Sequence, residues 1–350
     1  MKSFTKFILF SIALILPIFA NKDRCGSSYG VCDGNDCCSL YNWCGTSDEH
    51  CGSGCQPAYG NCKSKPSPGG DDDDDFDSGN GKVEWVGFRF SEGGVKSSKN
   101  YGKIPDGDKW VQFVNKFKKH FNKDAKPTVI VIVSQNAENV INIFGFPAPN
   151  GYHKTEHIIY ANKDNFESIL TKFDQVGINA WLQVEPGDND IITLAKIVFK
   201  QYGHHSCVKG FGIDLEWWYR RGDGQGKKLT ADYAQKVVKY VKSINSKYTV
   251  FAKHWDPRFM PESYVDGMIY VDDSQGLESI SNAKSEFRYW AKKFSNNPVM
   301  FQIGYAADRN LWGGDPINFA KAISNEVTQY NNHVGIIWVD FTMKEALEDM

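Results

Sequence analysis

At 350 residues the chain is long enough for a sizeable core and more than one domain, with 41% hydrophobic and 14% aromatic residues to build it. Its 40 Lys and Arg against 42 Asp and Glu give a formal net charge of −2, which argues against nucleic acid or a polybasic membrane contact as partner.

In residues 1–20, Lys2 and Lys6 precede the apolar run FILFSIALILPIFA, and Ala20 offers a small residue for cleavage. The run is too short and too N-terminal to span a bilayer, so a removed secretory signal is expected. No later stretch is long and apolar enough to span, so no membrane contact is expected after signal removal. The expected location is secreted, either extracellular or cell-wall associated. The cysteines agree with export: eight of nine fall between Cys25 and Cys62. A segment so short and poor in aliphatic residues cannot bury enough apolar surface, and disulfides in an oxidising compartment substitute for it. Cys207 stands apart and reads as a small buried apolar residue.

Residues 63–82, KSKPSPGGDDDDDFDSGNGK, combine Pro, Gly and Ser with five consecutive aspartates. Such a segment repels itself and cannot form a core, so it reads as a solvated linker. From residue 83 to 350 apolar, β-rich runs recur at 83–90, 127–134, 178–185, 210–217, 248–255, 267–273, 298–305 and 335–342. Helical patterns such as 108–121 and 232–245 lie between most of them. Strand–helix alternation predicts a parallel sheet, and eight units predict an α/β (β/α)₈ TIM barrel behind the small disulfide-rich module. A ninth strand candidate, HIIYA (157–161), is placed in an excursion between the second and third strands. An open doubly wound sheet is the alternative, but no glycine-rich phosphate fingerprint follows the first strand, and no cofactor is expected.

The small module has the spacing C-x6-C-x4-CC-x5-C-x6-C-x3-C-x6-C, which by itself allows many pairings. Its centre, CCSLYNWCGTSDEHCGSGC, resembles the hevein-type chitin-binding module over residues 24–62. The resemblance implies the pairs Cys25–Cys38, Cys32–Cys44, Cys37–Cys51 and Cys55–Cys62, and ligand contacts at Ser39, Tyr41, Trp43 and His50. The family usually has tyrosine where this chain has His50. The chemistry stands independently: sugar rings present apolar C–H faces to aromatic plates such as Tyr41 and Trp43. A hydroxyl such as Ser39 can bond an N-acetyl carbonyl. The expected partner is chitin or N-acetylglucosamine oligomers.

Active sites of (β/α)₈ barrels lie at the C-terminal ends of the strands. There the eight runs offer Arg89, then Trp181, Gln183 and Glu185, then Asp214 and Glu216, Lys253 or His254, Tyr270 and Asp272, Gln302, and Trp338 and Asp340. In GFGIDLEWWYRR (210–221) Asp214 and Glu216 share a parity, so a continuous strand would send both to one face with Cα atoms about 7 Å apart. Buried charge is costly unless paired or used. A structural reading answers these acids with Arg89 or Lys253; polar groups and tryptophans recurring at strand ends fit a carbohydrate cleft better.

GFGIDLEW also resembles the fourth strand of family 18 glycoside hydrolases, the chitinase-like barrels, whose pattern is D-G-x-D-x-D-x-E. GMIYVDD resembles that family's sixth-strand M-x-Y-D with one extra residue, and GIIWVDF its eighth strand, where a tryptophan floors the sugar site. In one register Glu216 takes the place of the catalytic glutamate and Asp214 that of the assisting aspartate, with Lys209 and Gly212 replacing two earlier aspartates. In the other register Glu216 matches an aspartate and Trp218 replaces the glutamate. The first is favoured because it keeps the D-x-E pair, with Gly212 leaving space beside it. It implies Glu216 as general acid with a raised pKa, and Asp214 orienting an acetamido group that attacks the anomeric carbon. Tyr270 and Asp272 would contact that group and Trp338 would stack under the sugar; Glu185 and Gln302 complete the substrate-binding set. A different assignment pairs Glu185 with Glu216 as nucleophile and acid. His204, His205 and Cys207 lack a second cluster at zinc spacing, so no metal is expected, and G-x-S-x-G is absent. The functions left open are a hydrolase of N-acetylglucosamine polymers, a non-catalytic chitin-binding lectin-like protein, and a glycosidase on another glycan such as peptidoglycan.

Overall fold

A computed structural model describes residues 24–26, 30–39, 42–51, 55–62, 82–97, 100–221 and 224–350. The expected signal, Tyr41 and residues 63–81 of the expected linker lie outside the described residues. The chain divides into two compact units between Asp74 and Asp75, each described by itself.

Among its described residues the first unit has little regular structure. Two two-residue strands, Cys37–Cys38 and Cys44–Gly45, pair antiparallel, and a short helix spans Asp48–Cys51. Disulfides Cys25–Cys38, Cys32–Cys44, Cys37–Cys51 and Cys55–Cys62 hold them together. Cystine sulfurs with little aliphatic support form the interior, the arrangement expected where a chain segment is too short to bury a core.

The second unit is a closed parallel barrel. Its strands are β1 (Trp85–Phe90), β2 (Lys126–Ala137), β3 (Asn179–Val184), β4 (Val208–Asp214), β5 (Thr249–Lys253), β6 (Met268–Asp272), β7 (Val299–Ile303) and β8 (Val334–Val339). Each pairs in parallel with its sequence neighbours, and β8 pairs with β1 to close the ring. The helices outside it are α1 (Gly107–Lys118), α2 (Glu167–Val176), α3 (Ile191–Tyr202), α4 (Ala231–Ile244), α5 (Ile280–Lys293), α6 (Pro316–Val327) and α7 (Met343–Asp349). Asp106, Asp190, Thr230 and Ser279 cap α1, α3, α4 and α5 by accepting from backbone N–H groups of the first turn. Between β5 and β6 the chain makes a 3-10 turn, Pro257–Phe259, where the repeating pattern predicts a helix.

Helix faces such as Trp110, Val114 and Phe117 of α1 pack on the outward strand residues. A second, smaller core fills the barrel: Trp85, Ile130, Trp181, Phe251, Ile269, Val271, Met300 and Ile337. β2 runs past the barrel and pairs antiparallel with 141–144, which pairs in parallel with 158–160, the strand expected at HIIYA. The turn between β2 and 141–144 places Glu138 and Asn139 at positive φ (54° and 63°). That is a hairpin geometry usually signalled by an Asn-Gly or Asp-Gly pair, and Glu138-Asn139 lacks the glycine that would have marked the strand at 141–144.

Candidate active site

The strand at 210–217 ends at Asp214. Leu215–Trp217 form a 3-10 turn, so the alternation argument does not extend to Glu216. The two acids converge nevertheless, because both reach one cation. Lys253, the last residue of β5 and buried in the barrel, places Nζ 3.2 Å from Asp214 Oδ2 and 2.5 Å from Glu216 Oε1. Asp273 Oδ2 is a third partner of the same ammonium. Gln183 Nε2 donates to Asp214 Oδ2 at 3.1 Å, so Asp214 is buried and held from two sides. Glu216 is more open, its side chain 22% exposed. The space expected beside Gly212 is filled: a Cβ there would lie 2.1 Å from the Phe251 ring.

A second ion pair stands at the neighbouring strand ends. Arg89 Nη2 of β1 donates to Asp340 Oδ1 at 2.7 Å, while Ser91 N and Oγ donate to Asp340 Oδ2 at 2.7 and 2.8 Å. Arg89 is therefore committed to Asp340 and Lys253 to the β4 acids. Glu185, just past β3, is half-buried and accepts from Asn136 N at 2.6 Å. Gln302 of β7 is buried and accepts from Tyr305 Oη at 3.1 Å.

Carboxyls outnumber cations here, and the charges sort accordingly. Burial raises Glu216, but the Lys253 ammonium and a hydrogen bond with Asp273 outweigh it and hold Glu216 at about 2. Burial raises Asp273 to about 7, helped by the adjacent Glu216 charge, and raises Glu185 to about 7 against the pull of Arg89 and Lys253. Burial likewise carries Asp214 well above the usual carboxylate range. The raised pKa expected at Glu216 falls instead on its neighbours, since Glu216 has both the Lys253 ammonium and a hydrogen bond with Asp273 to stabilise its charge.

Three expected site residues point elsewhere. On β6, Ile269 and Val271 face the barrel interior, which sends Tyr270 and Asp272 to the helix layer. Tyr270 packs against Phe294 with the rings tilted at 51°, and Asp272 accepts from Ser274 N and Oγ at 2.9 and 2.7 Å. On β8, Ile337 faces inward and Trp338 outward, fully buried against Phe117 and Trp312. Gly304 has φ +88°, and a Cβ there would lie 2.2 Å from the Trp338 ring, so this indole is built into the wall. Trp338→Phe is expected to lower stability by about 1–3 kcal/mol in a thermal melt, without changing oligosaccharide affinity measured by calorimetry.

The residue that replaces Asp272 inside is Asp273. It was missed because an Asp-Asp pair offers a carboxylate to either face. Tyr305 and Phe341 were missed as well. Phe341 is 52% exposed, with the Arg89 guanidinium carbon 4.7 Å over its ring. Trp255, which follows β5, is 40% exposed, and Trp217 is half-buried beside Glu216 with Arg220 over its ring at 4.6 Å. Accessible aromatic surface therefore flanks the acids on loops after β4, β5 and β8.

In the small unit Trp43 is 39% exposed, with Arg24 Cζ 4.3 Å over the ring. Ser39 is buried, and its hydroxyl accepts from Trp43 N at 3.2 Å, tying the tryptophan backbone to the disulfide framework. His50 Nδ1 lies 2.7 Å from Ser47 Oγ, and its ring covers Gly45, where a Cβ would lie 2.7 Å away.

No family model matches the chain. Among curated proteins it is similar to a chitin deacetylase of Pestalotiopsis sp, 56% identical over 41 residues, 11% of this chain and 14% of that protein. It is also similar to an endochitinase of Pisum sativum, 42% identical over 65 residues (17% of this chain, 19% of that protein). A basic 30 kDa endochitinase of Solanum lycopersicum is 41% identical over 70 residues (19% and 20%). The chain thus spans a fifth or less of the length of these relatives. Among solved structures, a β-1,4-D-mannanase from Cryptopygus antarcticus is 12% identical with a TM-score of 0.42, over 77% of this chain and 90% of that one. A β-glucuronidase of Parabacteroides merdae is 10% identical with a TM-score of 0.41, over 73% and 31%. The barrel is defined by its own strand order, not by these likenesses.

Proposed function

We propose that this chain is a secreted, chitin-directed carbohydrate-active protein. Its module at 24–62 holds chitin or N-acetylglucosamine oligomers, and the barrel at 83–350, joined through the 63–82 linker, hydrolyses an N-acetylglucosamine-containing polysaccharide. The observation that carries the barrel reading is a pair of half-buried carboxyls just past adjacent strands in unlike surroundings: burial raises Glu185 to about 7, while the Lys253 ammonium holds Glu216 at about 2. Environments that push two carboxyls apart separate acid from base. Glu185 donates its proton to the leaving glycosidic oxygen. Glu216, ionised, faces the positive charge that develops at the anomeric carbon, where water then adds and gives up a proton to Glu185, restoring the acid. This reverses the alternative pairing that the sequence allows, Glu185 as nucleophile and Glu216 as acid, and departs from the favoured one, in which Glu216 is the acid and Asp214 assists. Asp214 is too deeply held to meet an acetamido group directly, and positions Lys253 and through it Glu216. The aromatic side chains Trp217, Trp255 and Phe341 supply platforms for sugar faces.

The similarity to chitin-modifying proteins covers only 41–70 residues, a stretch the size of the small module and its linker and not of the barrel, and supports chitin as the ligand of the small module. Tethering to the polymer would raise the local substrate concentration without any new contact in the barrel. One observation favours a binding-only reading, the ion pair that occupies the Glu216 carboxylate. The decisive experiment measures soluble products from chitin oligomers with the full-length protein. Product release that disappears in Glu216→Gln is expected; no turnover alongside intact chitin pull-down would leave a lectin-like protein. Trp43→Ala is expected to weaken chitin retention roughly 10- to 100-fold in a depletion assay while leaving turnover of short soluble oligomers unchanged.

A further inference from the structure

The loop between α3 and β4 brings His204 and His205 against α2, away from the acids at the strands' C-terminal ends. His205 is buried, its side chain 2% exposed. Its Nδ1 lies 2.7 Å from Asp174 Oδ2. Asp174 also accepts from Cys207 N at 2.7 Å and Ser206 Oγ at 3.1 Å, so it serves purely as an acceptor. The proton shared with it therefore sits on Nδ1. In the neutral ring that places the His205 Nε2 lone pair on the side away from Asp174. Nε2 is buried without a hydrogen-bond partner, 3.3 Å from Glu167 Oε2. A lone pair facing a carboxylate oxygen at that distance is repulsive unless a cation lies between them.

A second imidazole completes the set. His204 Nε2 lies 3.4 Å from Glu167 Oε1, and the two histidine rings are 4.1 Å apart. One donor atom from each of Glu167, His204 and His205 falls within 4.8 Å of the others. A tetrahedral site with metal–ligand bonds of about 2.0–2.1 Å has ligand–ligand edges of about 3.4 Å; each histidine already stands at about that distance from one of the two Glu167 oxygens, His204 from Oε1 and His205 from Oε2. His204 and Glu167 are partly exposed and free to close the remaining gap. A carboxylate behind a ligating histidine, here Asp174, is the usual device that orients the ring. Cys207 is outside the set: burial, with Asp174 alongside, raises its thiol, which donates to Leu170 O at 3.5 Å.

We propose that Glu167, His204 and His205 form a binding site for a divalent transition-metal ion of the zinc class, with Asp174 as the orienting carboxylate. Two imidazoles and a carboxylate suit zinc better than calcium or magnesium, which prefer oxygen ligands. The ion would fasten α2 to the loop entering β4. Its remaining coordination position would hold water. The sequence did not suggest this because Glu167 and Asp174 lie some thirty to forty residues before the histidines, on a helix whose register only the fold sets.

The test is metal analysis of the full-length protein, stripped with chelator, dialysed against buffered zinc, and paired with thermal melts with and without zinc. One retained equivalent is expected, with a melting midpoint raised by several degrees in zinc and unmoved in magnesium. His204→Ala and Glu167→Gln, both at accessible side chains, are expected to keep the metal-free midpoint, weaken zinc binding at least tenfold and abolish the zinc-dependent rise. Zinc retained equally by both variants would place the ion elsewhere and overturn the proposal. So would no retained zinc.

Discussion

Lys253→Met is expected to lower the melting midpoint of the barrel by roughly 6–20 °C at pH 8, and by clearly less at pH 5. Methionine keeps most of the volume, so the change isolates the charge. Removing one partner of a buried ion cluster costs about 3–5 kcal/mol, because the remaining charges are left desolvated without compensation. A barrel of this size loses about 2–4 °C per kcal/mol. Lys253 answers Asp214, Glu216 and Asp273 together. The pH dependence follows from which of these carry protons. Asp273 has a folded pKa raised to about 7, above its unfolded value, so its contribution to stability is full below the unfolded pKa and is lost as pH rises through about 7. Glu216 is depressed to about 2, so its contribution is present above its unfolded pKa and is lost as pH falls through about 2. At pH 5 the variant can protonate Asp214 and Asp273 and carry little excess charge; at pH 8 it cannot do so without further cost. Equal losses at the two pH values would mean that Lys253 acts by packing and not as the shared counter-ion.

The strand order and the small framework were legible because they rest on coarse signals, alternating apolar runs in one case and cysteine spacing in the other. Side-chain direction was legible only where polarity alternated. Residues 180–185, β3 and the residue after it, read Ala-Trp-Leu-Gln-Val-Glu, and the polar residues mark the interior parity without ambiguity. β6 and β8 are covered on both faces and read as unbroken apolar runs. Such strands carry no alternation from which to choose a parity. The tyrosine of β6 and the tryptophan of β8 were assigned inward because they suit a sugar site, yet the same aromatic bulk also fills a helix layer. Strand ends were a further limit. The 3-10 turn at Leu215–Trp217 breaks the period of two, and it is Lys253, 37 residues away, that draws Glu216 back toward Asp214. Protonation was illegible for a related reason, since it depends on which acid lies nearest a cation contributed by another strand.

Glu185→Gln is expected to lower kcat on chitin oligomers by about 10²- to 10⁴-fold, the range for losing a positioned general acid, and to remove the alkaline limb of the pH profile. An acid works in its protonated form, so with Glu185 at about 7 the wild-type rate should fall as pH rises through about 7. Glu216, held at about 2, stays ionised across the whole usable range, and its protonation limits the rate only in strong acid. Glu216→Gln should therefore depress the rate at every pH and leave the alkaline limb in place. The leaving group provides an independent check. An aryl glycoside with an acidic phenol departs without protonation, so Glu185→Gln should recover most of its rate on that substrate, whereas Glu216→Gln should not. If Glu216→Gln erased the limb instead, Glu216 would be the acid after all, and substrate binding would have to displace Lys253 from it. If both variants lost the aryl substrate equally, the two carboxyls would share a structural role and the division between acid and base would fail. The two assays separate these cases because one reads the proton and the other reads the need for it.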